Sequence, residues 1–297
     1  MTPKSEFLEA RGLRPDGRRS LRFHYRDWGG TGDPLVLLHG LASNARIWDL
    51  TAPFLTGGFR VVALDQRGHG LSDKPDGGYD LASVSGDLAA FVQALGLERP
   101  ALAGHSWGAN VALQFAADRP DGVSALALVD GGFLEISAFE GMTWERTVET
   151  MSPPPLAGMK LDTFLQGARN WPGLGEFWND DVQEIVLANF RIDDDNTIHP
   201  HLSRDNHLKI LRSLWEQKPS ALWSRIRCPT LLLPTARDHP DPRNAVWMEH
   251  KRKGIALAEQ RALSLKVAWM NDTIHDVPLQ RPQELAGAIR SFLESRA

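Results

Sequence analysis

The sequence contains a single cysteine, Cys228, so the chain cannot form an intramolecular disulfide. Cys228 precedes an apolar run, which is typical of a small buried residue. Basic residues are outnumbered by acidic ones, and the formal net charge is −4. A surface for nucleic acid or for anionic membranes normally needs a basic excess, so the composition predicts no nucleic-acid partner.

Long apolar runs are missing too. No stretch approaches the about 20 apolar residues that a membrane-spanning helix needs, so we expect no membrane span. The N-terminal segment MTPKSEFLEARGLRPDGRRS is charged and lacks the apolar stretch of a secretory signal. We therefore expect a cytoplasmic protein.

Motifs for metals and nucleotides are also absent. The sequence has no H-E-x-x-H motif and no Cys/His cluster, and no G-x-G-x-x-G follows a predicted strand. We expect no metal ion and no cofactor, and a small molecule as the binding partner. The sequence leaves the oligomeric state open.

Short apolar runs alternate with amphipathic segments over much of the chain. Such runs suit strands that are covered on both faces, as in a parallel sheet. Leu81–Leu95, Trp107–Asp118 and Gln283–Glu294 have the apolar stripe of surface helices. The alternation predicts an α/β fold with a doubly wound, mostly parallel sheet. The predicted strands are Leu21–Trp28, Pro34–Leu38, Arg60–Leu64, Ala101–Ala103, Val123–Val129, Thr230–Leu233 and Leu265–Trp269.

The alternation stops between residues 133 and 226. That segment holds several amphipathic pieces and no clear strand, and strands resume after it. We interpret it as a helical cap, or lid, inserted into an α/β core that consists of residues 1–132 and 227–297.

The chemistry is concentrated in the segment Gly104-His105-Ser106-Trp107-Gly108, which has the form G-x-S-x-G. It follows a predicted strand and opens a predicted helix, the context that a nucleophile elbow requires. The glycines permit a sharp turn that leaves the serine hydroxyl above the sheet edge. This placement predicts that Ser106 is a nucleophile.

A second motif, His39-Gly40-Leu41, ends an earlier predicted strand. The glycine lets the chain turn back over the sheet edge, where the backbone N–H of Leu41 can face the serine. Together with the N–H of Trp107 at the start of a helix, it would form an oxyanion hole. We expect His39 itself to be structural, bonded within the turn.

These motifs together resemble the α/β-hydrolase superfamily. The order is His39-Gly40, then Asp65-Gln66-Arg67-Gly68-His69-Gly70-Leu71-Ser72, then the G-x-S-x-G segment. The likeness covers the chain from about residue 21 to the end, apart from the predicted cap, and is closest to serine esterases, lactonases and C–C bond hydrolases that carry a lid. It implies that the Asp65–Ser72 loop is mainly structural.

The resemblance implies a histidine base after the last strand. Among the ten histidines, His275 alone follows the predicted strand Leu265–Trp269 and precedes the final helix. His275 is therefore the predicted general base.

The acid that orients this histidine has two main candidates. Asp238, in Thr235-Ala236-Arg237-Asp238, matches the commonest family position, whereas Asp130, at a strand end before two glycines, matches the minority position. The polar, proline-rich segment that follows Asp238 departs from the family pattern. We favour Asp130 and keep Asp238 as the alternative.

A serine nucleophile has a chemical consequence. Family members that open epoxides or haloalkanes through an ester use an aspartate at this position, so Ser106 disfavours those activities. The resemblance implies hydrolysis of a carboxylic ester or lactone through an acyl-enzyme, without a cofactor.

Three other functions stay open. A C–C bond hydrolase would use the same residues. A proline aminopeptidase would need acidic residues in the cap, for which Glu176, Asp180, Asp181 and Glu184 are available. A ligand receptor with the hydrolase fold would keep these residues and turn over very slowly.

The predicted cap is rich in aromatic residues and carries half of the ten tryptophans. Most of them should form its own core, but some should line an apolar pocket above Ser106. The predicted substrate contacts are Trp107, Trp144, Trp178 and Phe133.

Overall fold

The computed structural model describes residues 2–11, 20–237 and 242–296, and within them the chain forms strands and helices in alternation. The strands are β1 (Lys4–Arg11), β2 (Ser20–Gly29), β3 (Asp33–Leu38), β4 (Phe59–Leu64), β5 (Ala101–His105), β6 (Ala125–Val129), β7 (Met159–Lys160), β8 (Phe190–Ile192), β9 (Thr197–Pro200), β10 (Thr230–Leu233), β11 (Thr235–Ala236), β12 (Leu265–Val267) and β13 (Met270–Asn271). The helices are α1 (Leu81–Ala94), α2 (Trp107–Asp118), α3 (Trp144–Met151), α4 (Leu161–Ala168), α5 (Asp180–Leu187), α6 (Arg204–Glu216), α7 (Pro219–Leu222), α8 (Pro242–Arg261), α9 (Val277–Gln280) and α10 (Pro282–Glu294).

One eight-stranded sheet organises the fold. Its strand order is β1-β2-β4-β3-β5-β6-β10-β12. The pairs β1–β2 and β2–β4 are antiparallel, and the other five neighbouring pairs are parallel. The prediction of an α/β fold with a mostly parallel sheet is confirmed.

Both faces of the sheet are buried, which explains the uninterrupted apolar runs in its strands. In β3, Val36 and Leu38 pack on the side that carries α1 and α2, whereas Leu35 and Leu37 pack on the side that carries α9 and α10. Successive side chains of a strand point to opposite faces, so a strand covered on both sides needs apolar residues at every position.

The parallel register sets the functional edge of the sheet. Leu38 of β3 pairs with Gly104 of β5, and His105 of β5 pairs with Val129 of β6. These three strands therefore end side by side. The residues that follow them come together at their carboxyl ends, where open α/β sheets bind ligands.

The loop after β4 is hydrogen-bonded to neighbouring segments near this edge of the sheet. Asp65 is buried and accepts hydrogen bonds from the backbone N–H of Ala45 at 2.6 Å and from the His24 ring at 2.7 Å. Burial raises the pKa of Asp65, but the His24 contacts outweigh it and bring the pKa to about 2. Buried Arg67 pairs in turn with Asp87. Asp65 and Arg67 are thus buried and bonded to other residues of the protein interior.

Residues 133–226 contain α3 to α7, as the amphipathic pieces predict, but they also contain a sheet that the sequence analysis missed. The expectation of no strand in this segment was wrong. β8 and β9 form an antiparallel hairpin, and β7 adds to β9. These strands have two to four residues, too few for a period-two pattern.

Strand β1 was also not predicted, because it lies at the sheet edge and most of its side chains are exposed. Among the residues described, no helix combines the length and the apolar character that crossing a membrane requires.

Candidate active site

Ser106 lies in a sharp turn between β5 and α2. Its φ of 53° and ψ of −120° are unusual for a residue with a side chain, and such backbone conformations cost of the order of 1–3 kcal/mol. The turn is held by a 2.8 Å hydrogen bond from the Ser106 N–H to the carbonyl oxygen of Val129 in β6. The strained serine is therefore fixed against the neighbouring strand.

Glycines allow the backbone to close around this turn. A Cβ on Gly104 would lie 2.3 Å from the carbonyl oxygen of Gly108, and a Cβ on Gly108 would lie 2.5 Å from that of Leu38. A Cβ on Gly131 would lie 2.2 Å from the carbonyl oxygen of Ser106. Side chains at these positions would push the elbow apart.

Ser106 is half-buried and opens into a cavity of about 470 Å³. His275 and Trp107 line the same cavity. Among the hydrogen bonds of the described residues, none joins the Ser106 hydroxyl to the His275 ring. Such contacts often tighten only once a substrate is bound.

His275 is bound to Asp130. The distance from His275 Nδ1 to Asp130 Oδ2 is 2.6 Å, and the two residues are 145 positions apart in the sequence. Asp130 directly follows β6 with a φ of 45°, and its side chain is 2% exposed, whereas that of His275 is 52% exposed. The buried Asp130 carboxylate therefore orients the His275 imidazole, and part of the ring stays accessible.

The two pKa values shift in opposite directions. Burial raises the pKa of Asp130, but the hydrogen bond from His275 and the charge of Lys251 outweigh it, so the pKa lies well below the usual range. Desolvation lowers the pKa of His275, but Asp130 offsets that effect, and the net shift is upward. Asp130 is thus an anion that stabilises the imidazolium form of His275.

Asp130 has two further partners that the sequence analysis did not identify. Its Oδ1 accepts hydrogen bonds from the Thr235 N–H at 3.0 Å and from Lys251 Nζ at 2.7 Å. Its Oδ2 accepts one from the Thr235 hydroxyl at 2.8 Å. Lys251 stands in a charged helix with no local motif, so only the tertiary packing of α8 reveals its role.

The two predicted oxyanion donors flank the serine. Trp107 is the first residue of α2, where a helix N–H has no intrahelical acceptor. A Cβ on Gly40 would lie 3.1 Å from the Ser106 Cβ, so the turn that carries Leu41 approaches the nucleophile closely. No hydrogen bond from the N–H of Leu41 or Trp107 is found within the described residues. Trp107 lines the cavity into which Ser106 opens, whereas Leu41 lines a second cavity.

The other predicted substrate contacts lie elsewhere. Trp107 lines the cavity, but Phe133, Trp144 and Trp178 line neither this cavity nor a second one of about 720 Å³ that includes Leu41. Trp144 packs against Trp215 with ring centroids 6.1 Å apart. Trp178 packs on Trp171 and Phe133 is buried, so these rings serve the local core instead.

The alternative acid, Asp238, lies outside the described residues. His39 is buried, and its Nε2 accepts a hydrogen bond from the Gln66 N–H at 3.0 Å, which ties it to the loop after β4. In the described ranges, no three His, Cys, Asp or Glu side chains are grouped so that they could hold a metal ion.

Comparison with known proteins shows the relationships of the chain. A family model described as alpha/beta hydrolase fold matches residues 33–256. A putative carbamate hydrolase of Klebsiella pneumoniae is 32% identical over 211 residues, which cover 70% of this chain and 74% of that protein. A fluoroacetate dehalogenase of Burkholderia is 33% identical over 153 residues, 47% of this chain, and the match spans only 50% of that relative.

A solved structure extends the likeness to nearly the whole chain. The crystal structure of E-2-(acetamidomethylene)succinate hydrolase superimposes with a TM-score of 0.73, covering 97% of this chain and 100% of that one. The sequence identity is 22%, so this likeness concerns the fold alone.

The elbow geometry yields a stability prediction. Gly108→Ala should lower the free energy of unfolding by about 1–3 kcal/mol, because the new Cβ would meet the backbone oxygens of Leu38 and His39 at 2.5 and 2.6 Å. Gly287→Ala is the matched control: Gly287 also lies in a helix, and nothing is within 4 Å of its added Cβ. That variant should gain about 0.5–1 kcal/mol. Urea unfolding measures the free energy of unfolding of both variants. Equal changes would contradict the predicted clash at Gly108.

Proposed function

The chain belongs to the alpha/beta hydrolase fold family, and from that premise we propose that it is a serine hydrolase. It cleaves a carboxylic ester or lactone with an apolar moiety through an acyl-enzyme. Ser106 is the nucleophile, His275 the general base and Asp130 the acid that orients it. The observation that carries this proposal is the 2.6 Å hydrogen bond between His275 and Asp130 beside the cavity into which Ser106 opens.

Asp130 prepares His275 to act as a base. Because Nδ1 donates its proton to the carboxylate, the proton acceptor of the neutral ring is Nε2, the tautomer that a general base needs. As His275 takes the serine proton, the buried negative charge of Asp130 stabilises the imidazolium. The activated Ser106 oxygen then attacks the substrate carbonyl.

The negative charge that develops on the carbonyl oxygen is stabilised by backbone donors. The N–H groups of Trp107 and Leu41 are the proposed oxyanion hole, at the start of α2 and beside Ser106. The tetrahedral intermediate collapses when His275 gives its proton to the leaving oxygen. A water molecule, activated by the same histidine, then releases the acid.

The cavity supports an apolar substrate group. Many of its lining side chains are apolar, including Leu134, Ile136, Met151, Leu214 and Trp247. Its volume of about 470 Å³ lies within the range of small-molecule sites.

We propose that residues 133–226 act as a cap over this cavity. They contribute Met151 and Leu214 to its lining, and they are tied to the core by ion pairs between Arg237 and Glu176 and between Arg46 and Glu184. The same ion pairs weigh against a proline aminopeptidase, since two of the four candidate acids are already paired. None of the four lines the cavity.

The dehalogenase activity named for one relative is not carried over, because position 106 holds a serine rather than a carboxylate. The putative carbamate hydrolase supports a second candidate, cleavage of a carbamate or a similar acyl C–N bond. The same nucleophile, base and oxyanion donors would serve that reaction.

Replacement of the nucleophile tests the proposed mechanism. Ser106→Ala should abolish turnover of short p-nitrophenyl esters and change the free energy of unfolding by less than about 1 kcal/mol. Ser220→Ala, outside both cavities, is the control and should retain full activity. Steady multiple turnover by the unmodified protein would exclude a receptor. Residual turnover by Ser106→Ala equal to that of the control would refute the mechanism.

The two aspartates give a paired prediction. Asp130→Asn should lower kcat by as much as about 10⁴-fold, because the amide favours the wrong imidazole tautomer. Asp238→Asn should change kcat by less than about tenfold, since the single Nδ1 proton of His275 is already donated to Asp130. Steady-state ester assays measure kcat for both variants. The reverse order of effects would assign the role to Asp238.

A substrate panel separates the two candidate reactions. It compares p-nitrophenyl esters and lactones with aryl carbamates, formanilides and proline arylamides. The substrates that release an aryl group all carry the same aryl ring. We expect the highest kcat/KM on esters or lactones with a short apolar acyl group. Faster turnover of the carbamates would favour the second candidate, and preference for proline arylamides would contradict both.

A further inference from the structure

We propose that Lys251 is a positioning residue of this active site. Its ammonium group fixes the Asp130 carboxylate toward His275 and, by partly balancing the charge of Asp130, limits how strongly the carboxylate favours the protonated form of His275. This inference rests on the proposed function, since it concerns the same base.

The Lys251 ammonium is fully engaged. It donates to Asp130 Oδ1 at 2.7 Å, to the carbonyl oxygen of Thr235 at 2.9 Å and to the Thr235 hydroxyl at 2.9 Å. An ammonium group has three donors, so none is left for a substrate. The side chain is only 13% exposed, although it reaches the cavity wall.

Thr235 completes the arrangement. Its N–H and its hydroxyl donate to the two different oxygens of Asp130. With Lys251 and His275, the carboxylate therefore accepts four hydrogen bonds, two at each oxygen. A carboxylate held at both oxygens cannot rotate away from the imidazole, and Lys251 locks the Thr235 hydroxyl in the direction that this requires.

The charges around His275 show why a cation is needed. Asp130 and Asp276 both favour its protonated form, whereas Lys251 opposes it. His105 packs on the ring with centroids 4.8 Å apart and bonds to the His275 carbonyl oxygen at 2.8 Å. Desolvation lowers the pKa of His105 to about 4, so it adds no charge at neutral pH. Loss of the Lys251 charge should therefore raise the pKa of His275 further.

Lys251 also stabilises the fold, because removing one partner of a buried ion pair leaves an uncompensated buried charge. The pH dependence of His275, rather than stability, therefore distinguishes its positioning role. Along the same helix, Lys253 is 66% exposed and pairs with Glu249 one turn away. Of the two lysines in α8, Lys251 is the one turned inward to the carboxylate that orients the base.

The experiment removes the charge and follows His275 directly. Lys251→Met is compared with Lys251→Arg, which keeps the charge, and with Lys253→Met, an exposed control on the same helix. Each substitution is made in the Ser106→Ala background, and the His275 ring is titrated by NMR. The signal of this ring is identified by its absence in His275→Gln. The same substitutions in the active enzyme are assayed for the pH dependence of kcat/KM.

We expect the His275 titration to move to higher pH in Lys251→Met and to stay near the unsubstituted value in Lys251→Arg and Lys253→Met. In the active enzyme, the acid limb of kcat/KM should move the same way, with kcat lowered severalfold near neutral pH and KM little changed. If Lys251→Met does not fold, Lys251→Gln removes the charge and keeps a polar head.

An unmoved His275 titration in a folded charge-free variant would overturn the role of Lys251, even if the enzyme turns over. A rise in KM with unchanged kcat would overturn it too, since that pattern belongs to substrate contact. The NMR titration needs no substrate. Failure of the protein to hydrolyse any ester would therefore count against the proposed function and not against this inference.

Discussion

Burial of Asp130 as an anion is the interaction on which the candidate active site depends. A carboxylate that is 2% exposed is tolerated only where hydrogen bonds and a counter-charge replace water. Asp130 obtains these from three places: Thr235 after β10, Lys251 on α8 and His275 before α9. One carboxylate thus fixes the relative position of three segments that are distant in the sequence.

Backbone strain is concentrated at the same edge of the sheet. Of the six described residues that have a side chain and a positive φ, three lie in the lining of the Ser106 cavity or next to it in the sequence: Ser106, Asp130 and Asp272. Each strained residue follows a strand of the sheet or of the small β11–β13 pair. The close packing of the parallel strands, with glycines where backbones meet, holds these conformations in place.

The sequence predicts the fold and the position of Ser106 because both depend on local signals. Buried parallel strands give apolar runs, and the elbow needs glycines two residues before and two residues after the serine. The choice between Asp130 and Asp238 was left open because a carboxylate at the end of either strand could reach His275. What distinguishes Asp130 in the structure is the contact with His275, which is set by tertiary packing.

Other features left no local signal. Lys251 belongs to a charged helix in which nothing marks one lysine as turned inward. The short strands in residues 133–226 are too brief for periodicity, and Phe133, Trp144 and Trp178 were proposed as pocket residues from composition, which does not distinguish a ring in a local core from one at a cavity wall. Tertiary contacts across the chain, rather than residue type, decide these cases.

In the proposed mechanism, the Asp130–His275 pair activates one hydroxyl of the chain, that of Ser106. The most direct measurement treats the protein with an organophosphate or fluorophosphonate at low excess and locates the adduct by peptide mass spectrometry. We expect a single adduct on Ser106, and we expect it to form much more slowly in Asp130→Asn. Labelling at another residue, or labelling of Ser106 at an equal rate in that variant, would contradict this mechanism.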